Sequence, residues 1–129
     1  MATIKSYTNI EQSKKLAEIL STESADMYYL YWKENDILVN TQPFVEDGYE
    51  KRENGPYKYL NCWSLAALLN ILSKTAHSID EDGSVDLCDY KNIEWSLCLT
   101  NTNVGLFTAN NPVDACYEMI LKLHELNLL

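Results

Sequence analysis

The chain has 129 residues, 47% of them hydrophobic and 22% charged, which excludes a disordered chain and fits one domain spanning residues 1–129. A domain of this size buries roughly two-thirds of the surface exposed by its unfolded form, so it needs no disulfide or metal staple. Ten basic residues against nineteen acidic ones give a net charge of −9. The basic residues form only isolated pairs such as Lys14-Lys15 and Lys51-Arg52, which excludes direct nucleic-acid binding through a phosphate-neutralising patch.

A first helix is signalled by Thr8-Asn9-Ile10-Glu11, read as a capping box in which Thr8 caps and Glu11 reaches back. Behind it Ile10, Ser13, Leu16, Ala17 and Leu20 share one face. Residues 26–32 are dense in aromatic side chains, which favours a strand, and residues 36–40 supply a second strand after a Glu34-Asn35 turn. No period survives over residues 41–59, which Pro43, Gly48, Gly55 and Pro56 punctuate. A loop of that length is commonly functional, and this one also carries Tyr49, Tyr57 and Tyr59.

Residues 62–72 are apolar on nearly every side, as in a buried helix, with Asn61 as its cap. Farther on, Ile93, Trp95, Leu97 and Leu99 alternate with polar or small residues, the mark of a strand buried on one face. Asn101-Thr102-Asn103 then turns the chain into a hairpin partner over residues 104–108. Asn111 and Pro112 open a last helix whose buried stripe is Cys116, Met119, Ile120, Leu123 and Leu126. The expected fold is α+β: one antiparallel sheet of about four to five strands packed with three helices, in the order α-β-β-α-β-β-α. Its core is built from residues 62–72, the strand at residues 93–99 and the last helix.

Three groups of residues are candidates for chemistry. Cys62-Trp63 at the start of an apolar helix resembles papain-like and transglutaminase-like hydrolases, whose nucleophilic Cys precedes an aromatic residue at a helix start. A helix N-terminus lowers a thiol's pKa. Those enzymes need a general base on a following strand, and the strand at residues 93–99 has no His, while His77 and His124 sit in or just past helices. The competing reading is an inert core Cys beside a core Trp.

Residues 78–89 can be laid on a calcium loop. Ser78, Asp80 and Asp82 fall at positions one, three and five, Gly83 at the turn, Asp86 at nine and Asp89 at twelve. The resemblance is to EF-hand and dockerin-like loops, although Ser78 is a neutral first ligand and the following segment reads as strand. The competing reading is an Asp-Gly turn between strands. The third group is the aromatic run, with Tyr28, Tyr29, Tyr31 and Trp32 joined by Tyr49 and Tyr57, as a recognition surface for a protein partner. Here the competing reading is cover by the chain's own loop.

No C-x-x-C, Gly-rich phosphate loop, G-x-S-x-G or H-E-x-x-H occurs, and no cofactor is expected. The opening residues lack the charged-then-apolar order of a secretory signal. The apolar stretch at residues 62–72 is too short to span a bilayer. A cytoplasmic domain with reduced thiols at Cys62, Cys88, Cys98 and Cys116, and with no membrane partner, is therefore expected.

Three stretches together, IEQSKKLAEIL with SADMYY, CWSLAALLNIL, and NPVDACYEMILKLHE, resemble a group of short, uncharacterised proteins encoded by gut anaerobes, their prophages and mobile elements. The resemblance implies a cytosolic accessory protein and assigns no functional residues. With an acidic surface, surplus aromatic side chains and no complete catalytic set, the sequence is read as a non-enzymatic protein-binding module. The alternatives are a thiol-dependent hydrolase or transferase using Cys62 and weak calcium binding through residues 78–89.

Overall fold

Helix α1 runs over Ile10–Ala17, and the residue that starts it is Asn9. The Asn9 side chain accepts from the Gln12 backbone N–H at 2.8 Å, and the Gln12 amide oxygen accepts from the Asn9 N–H at 3.1 Å. The capping box therefore lies one residue later than the Thr8–Glu11 expectation. Thr8 is instead fully buried, its hydroxyl 2.8 Å from that of Ser13. The structure, a computed structural model, describes residues 5–46, 55–90 and 94–129.

After a 3₁₀ turn at Thr22–Ser24 come strands β1 (Met27–Trp32), β2 (Phe44–Val45) and β3 (Tyr57–Cys62). They form one antiparallel sheet in the order β2-β1-β3. The strand expected at residues 36–40 survives as a single antiparallel bridge, Tyr31↔Leu38, closed by the Trp32 N–H to the Ile37 carbonyl and the Val39 N–H to that of Leu30. Asp36, at φ 59°, makes the tight reversal before it.

Helix α2 spans Leu65–Ile79, so it starts three residues later than expected, and Ser64 is its cap in place of Asn61. Ser64 is fixed from the other side by Asp26, whose carboxylate accepts from both the Ser64 N–H and its hydroxyl. The helix stops at Asp80. At Gly83 the turn returns so close to the helix that a Cβ would run into the Ala76 carbonyl.

Strands β4 (Val85–Tyr90), β5 (Glu94–Leu99) and β6 (Leu106–Ala109) form a second antiparallel sheet, order β4-β5-β6. Its register pairs Leu87 with Leu97 and Phe107, and Asp86 with Cys98 and Leu106. Helix α3, Pro112–Glu125, follows with Asn111 as cap and Pro112 in its first turn, as the sequence indicates. Leu126, expected in its buried stripe, lies beyond the helix and is 43% exposed.

Among the described residues the architecture is α+β with three helices, but the order is α-β-β-β-α-β-β-β-α in place of α-β-β-α-β-β-α, and the strands form two three-stranded sheets in place of one sheet of four to five. The inner face of the second sheet packs on α2 and α3, and α1 packs on β3. One hydrophobic cluster joins Leu16 of α1, Trp63, Leu68 and Leu72 of α2, Leu97 and Leu99 of β5, and Met119, Ile120 and Leu123 of α3. The expected core of central helix, alternating strand and last helix is thus present. Among the described residues no helix is long and apolar enough to cross a membrane.

Candidate functional site

Strand register sorts the aromatic residues into two faces. Residues opposite one another across an antiparallel pair share a face, and successive residues alternate. Met27, Tyr29 and Tyr31 therefore point with Cys62, Leu60 and Lys58 to one side. This side meets α1: Tyr29 is buried, and its hydroxyl donates to the Thr8 carbonyl at 2.8 Å. Tyr31 is half-buried, with the Lys58 ammonium 5.7 Å from its ring centre. Lys58 also pairs with Asp36.

The opposite face is built in three rows across the sheet. Phe44, Tyr28 and Asn61 make the first, Val39, Leu30 and Tyr59 the second, and Ile37, Trp32 and Tyr57 the third. Asn61 alone is not apolar or aromatic. Phe44 stacks on Tyr28 at 5.7 Å between ring centres, Tyr59 meets Tyr28 edge-on at 5.4 Å, and Trp32 lies 4.7 Å from Tyr57. These are the separations at which ring pairs attract beyond simple burial. Even so, Trp32 remains 40% exposed and Ile37 57%, with Phe44 and Val39 also exposed.

Of the six binding residues named from sequence, Tyr28, Trp32 and Tyr57 thus share the outer face, and Tyr29 and Tyr31 turn inward. Tyr49 lies outside the described residues. Ile37, Val39 and Phe44 were missed, because they fall on short or bridged segments whose pairing depends on β1.

Cys62 closes β3 instead of opening a helix, and so lies outside the first turn of α2, where a helix terminus would favour its thiolate. Its side chain is fully buried, and the thiol donates to the Thr8 carbonyl at 3.4 Å. Burial pushes its pKa up, against the hydroxyls of Thr8 and Ser13, which pull the other way. His77 near the end of α2 and His124 near the end of α3 are both exposed.

Residues 78–89 are divided among three elements. Ser78 belongs to the last turn of α2, where its hydroxyl donates to the Thr75 carbonyl at 2.7 Å. Asp80 caps the turn by accepting from the Asp82 N–H at 2.8 Å. Asp86 and Asp89 lie three apart on β4 and so face opposite sides of the sheet. Among the described residues no group of three His, Cys, Asp or Glu is placed to hold a metal ion. The Gly83 that suited a calcium loop is required by the close return to α2.

Comparison with known proteins yields no match to a family model, to a curated protein or to a solved structure.

Proposed function

We propose that this domain is a non-enzymatic protein-binding module, and that the outer face of the β2-β1-β3 sheet is its recognition surface. The observation that supports this reading is the group of exposed apolar side chains, Ile37, Val39, Trp32 and Phe44, standing on one sheet face. Contiguous apolar surface of this kind is rare on a domain that works alone, and Trp and Tyr supply large contact area with few rotamers to freeze. The accessory role in the cytosol of an anaerobe or its phage, implied by the sequence resemblance, belongs to the same proposal.

The test is an affinity capture under mild salt with the parent domain and an Ile37→Ser/Trp32→Ala double variant. The reading expects a defined protein retained by the parent and lost by the variant, with an unchanged circular-dichroism spectrum. No specific protein recovered, or equal recovery by both, would count against it.

A further inference from the structure

Sheet edges are templates for strand addition, and natural proteins blunt them with charge, short length or cover. Three of the four edges here follow that rule. Strand β2 has only two residues, β3 carries Lys58 and is followed by the Tyr7↔Ser64 bridge, and β4 carries the exposed Asp86 and Asp89. The fourth edge, β6, reads Leu-Phe-Thr-Ala, without a charge or a proline, and Leu106 is 66% exposed. Alternate residues of β6 turn their N–H and C=O groups away from β5, and no described backbone group meets them. Beside this edge lies a shallow, open groove of about 660 Å³, lined by Phe107 and Ala109 of β6 and by Asp114, Tyr117 and Glu118 of α3.

The charges along the groove select its occupant. Asp114 is already matched by Lys5 at 2.8 Å. Glu11 and Glu118 are exposed, form no ion pair among the described residues, and both act on the Tyr117 hydroxyl, raising its pKa after the larger effect of burial. A half-buried tyrosine that lines the groove together with the unmatched Glu118, and that Glu11 of α1 also influences, suits an Arg or Lys side chain, which gains both ion pairing and the ring face. A second copy of the chain is disfavoured, since it would bring another −9 and the same carboxylates to the edge.

We propose that β6 and this groove receive an extended basic polypeptide segment, which adds as a fourth strand to the β4-β5-β6 sheet. Because strand side chains alternate, the segment sets basic residues toward Tyr117, Glu11 and Glu118 on the groove side. Its alternate, apolar residues lie along Leu106 on the outer side. This surface belongs to the second sheet and is independent of the aromatic face of the first.

The probe is a fluorescent eight-residue peptide alternating Val and Arg, titrated by anisotropy against the intact domain, with a Val/Glu peptide as its counterpart. Saturable binding of the Arg peptide alone is expected, weakening as salt rises, with new hydrogen-exchange protection at residues 106–109. A Glu11→Lys/Glu118→Lys variant should weaken binding by at least about tenfold, Leu106→Lys should weaken it, and Trp32→Ala should leave it unchanged. Equal binding of the two peptides, protection elsewhere than residues 106–109, or an undiminished affinity in the charge-reversed variant would overturn the proposal. So would a concentration-dependent dimer dispersed by Leu106→Lys, which would assign the edge to a second copy.

Discussion

Alkylation by iodoacetamide distinguishes a sealed Cys62 from a nucleophilic one. Only the thiolate reacts, and an ordinary exposed cysteine at pH 8 is roughly one-quarter ionised. Cys62 is fully buried and its pKa is raised, so it must be released by an opening of the fold before it can react. Cys62 ties the end of β3 to Thr8, and Thr8 in turn to α1, so that opening approaches global unfolding. At roughly 0.05 kcal/mol per residue, the lower end of domain stability, a 129-residue chain resists opening by about 6 kcal/mol, or about 10⁴-fold in population. Allowing for partial openings, Cys62 should be labelled about 10³-fold or more slowly than the exposed Cys88.

Cys88 itself is slowed, because its thiol donates to the Asp86 carboxylate at 3.3 Å and the negative charge opposes ionisation. Asp86→Asn should therefore speed Cys88 labelling and leave Cys62 unaffected. Timed pulses, quenching and peptide mass spectrometry read all four cysteines in one sample. Labelling of Cys62 within about tenfold of Cys88 in the native state would refute the sealed-strand argument and favour the thiol-enzyme alternative.

Two further outcomes follow from the α1 end of the molecule. Asn9→Ala removes the observed cap and should destabilise the domain by about 1 kcal/mol in urea unfolding. Thr8→Ala should cost about 1–3 kcal/mol by stranding the buried Ser13 hydroxyl and the Trp63 N–H, 3.2 Å from the Thr8 oxygen, whereas Glu11→Ala should stay within about 0.5 kcal/mol. Asp114 has its pKa lowered: burial opposes the shift, but hydrogen bonds from Lys5, Gln12 and Asn111 outweigh it. A carboxylate depressed on folding contributes stability that is present above its unfolded pKa and lost as pH falls through the folded value. Asp114→Asn should therefore flatten the acid limb of a stability-against-pH curve below about pH 4, by under about 1 kcal/mol because the side chain is 37% exposed.

The parts of the fold legible in the sequence were those whose local pattern and tertiary role agree. Strand β5 alternates because one face meets α2 and α3, and α3 carries its own cap and proline start. Strand β3 was hidden for a physical reason. Its outward residues Tyr57 and Tyr59 are aromatic and its inward ones include Lys58, so the contrast that marks a half-buried strand is absent. Reading residues 41–59 as loop then pushed Cys62 into the first turn of a helix that begins only at Leu65. The capping box was displaced for a similar reason, because Thr8 and Asn9 are both good caps and only burial of Thr8 decides between them. The aromatic surface was half legible. The run in β1 was visible, but which of its members face outward, and that Ile37, Val39 and Phe44 join them, depends on long-range register.

The two sheets act as controls for one another. Each packs one face on helix, α1 against β3 in the first and α2 with α3 in the second, and the opposite face of each is its outer face among the described residues. On the second sheet that face carries Asp86, Cys88, Ser96, Cys98 and Thr108, small or polar side chains suited to water, with Leu106 at its edge as the exception. On the first sheet the corresponding positions are Trp32, Tyr57, Phe44, Ile37 and Val39. The same chain, with the same composition and solvent, thus builds one outer face for solvation and the other against it. Stability of the isolated domain does not require that difference, since the second sheet stands with its polar face. Edge design runs the other way: β4 is guarded by carboxylates while β6 is not, and the apolar exception on the solvated face, Leu106, lies on that unguarded strand. Exposed apolar side chains that stand on strands thus gather at the outer face of the first sheet and at Leu106 of β6, with Val45 of β2 as a further one on the opposite face.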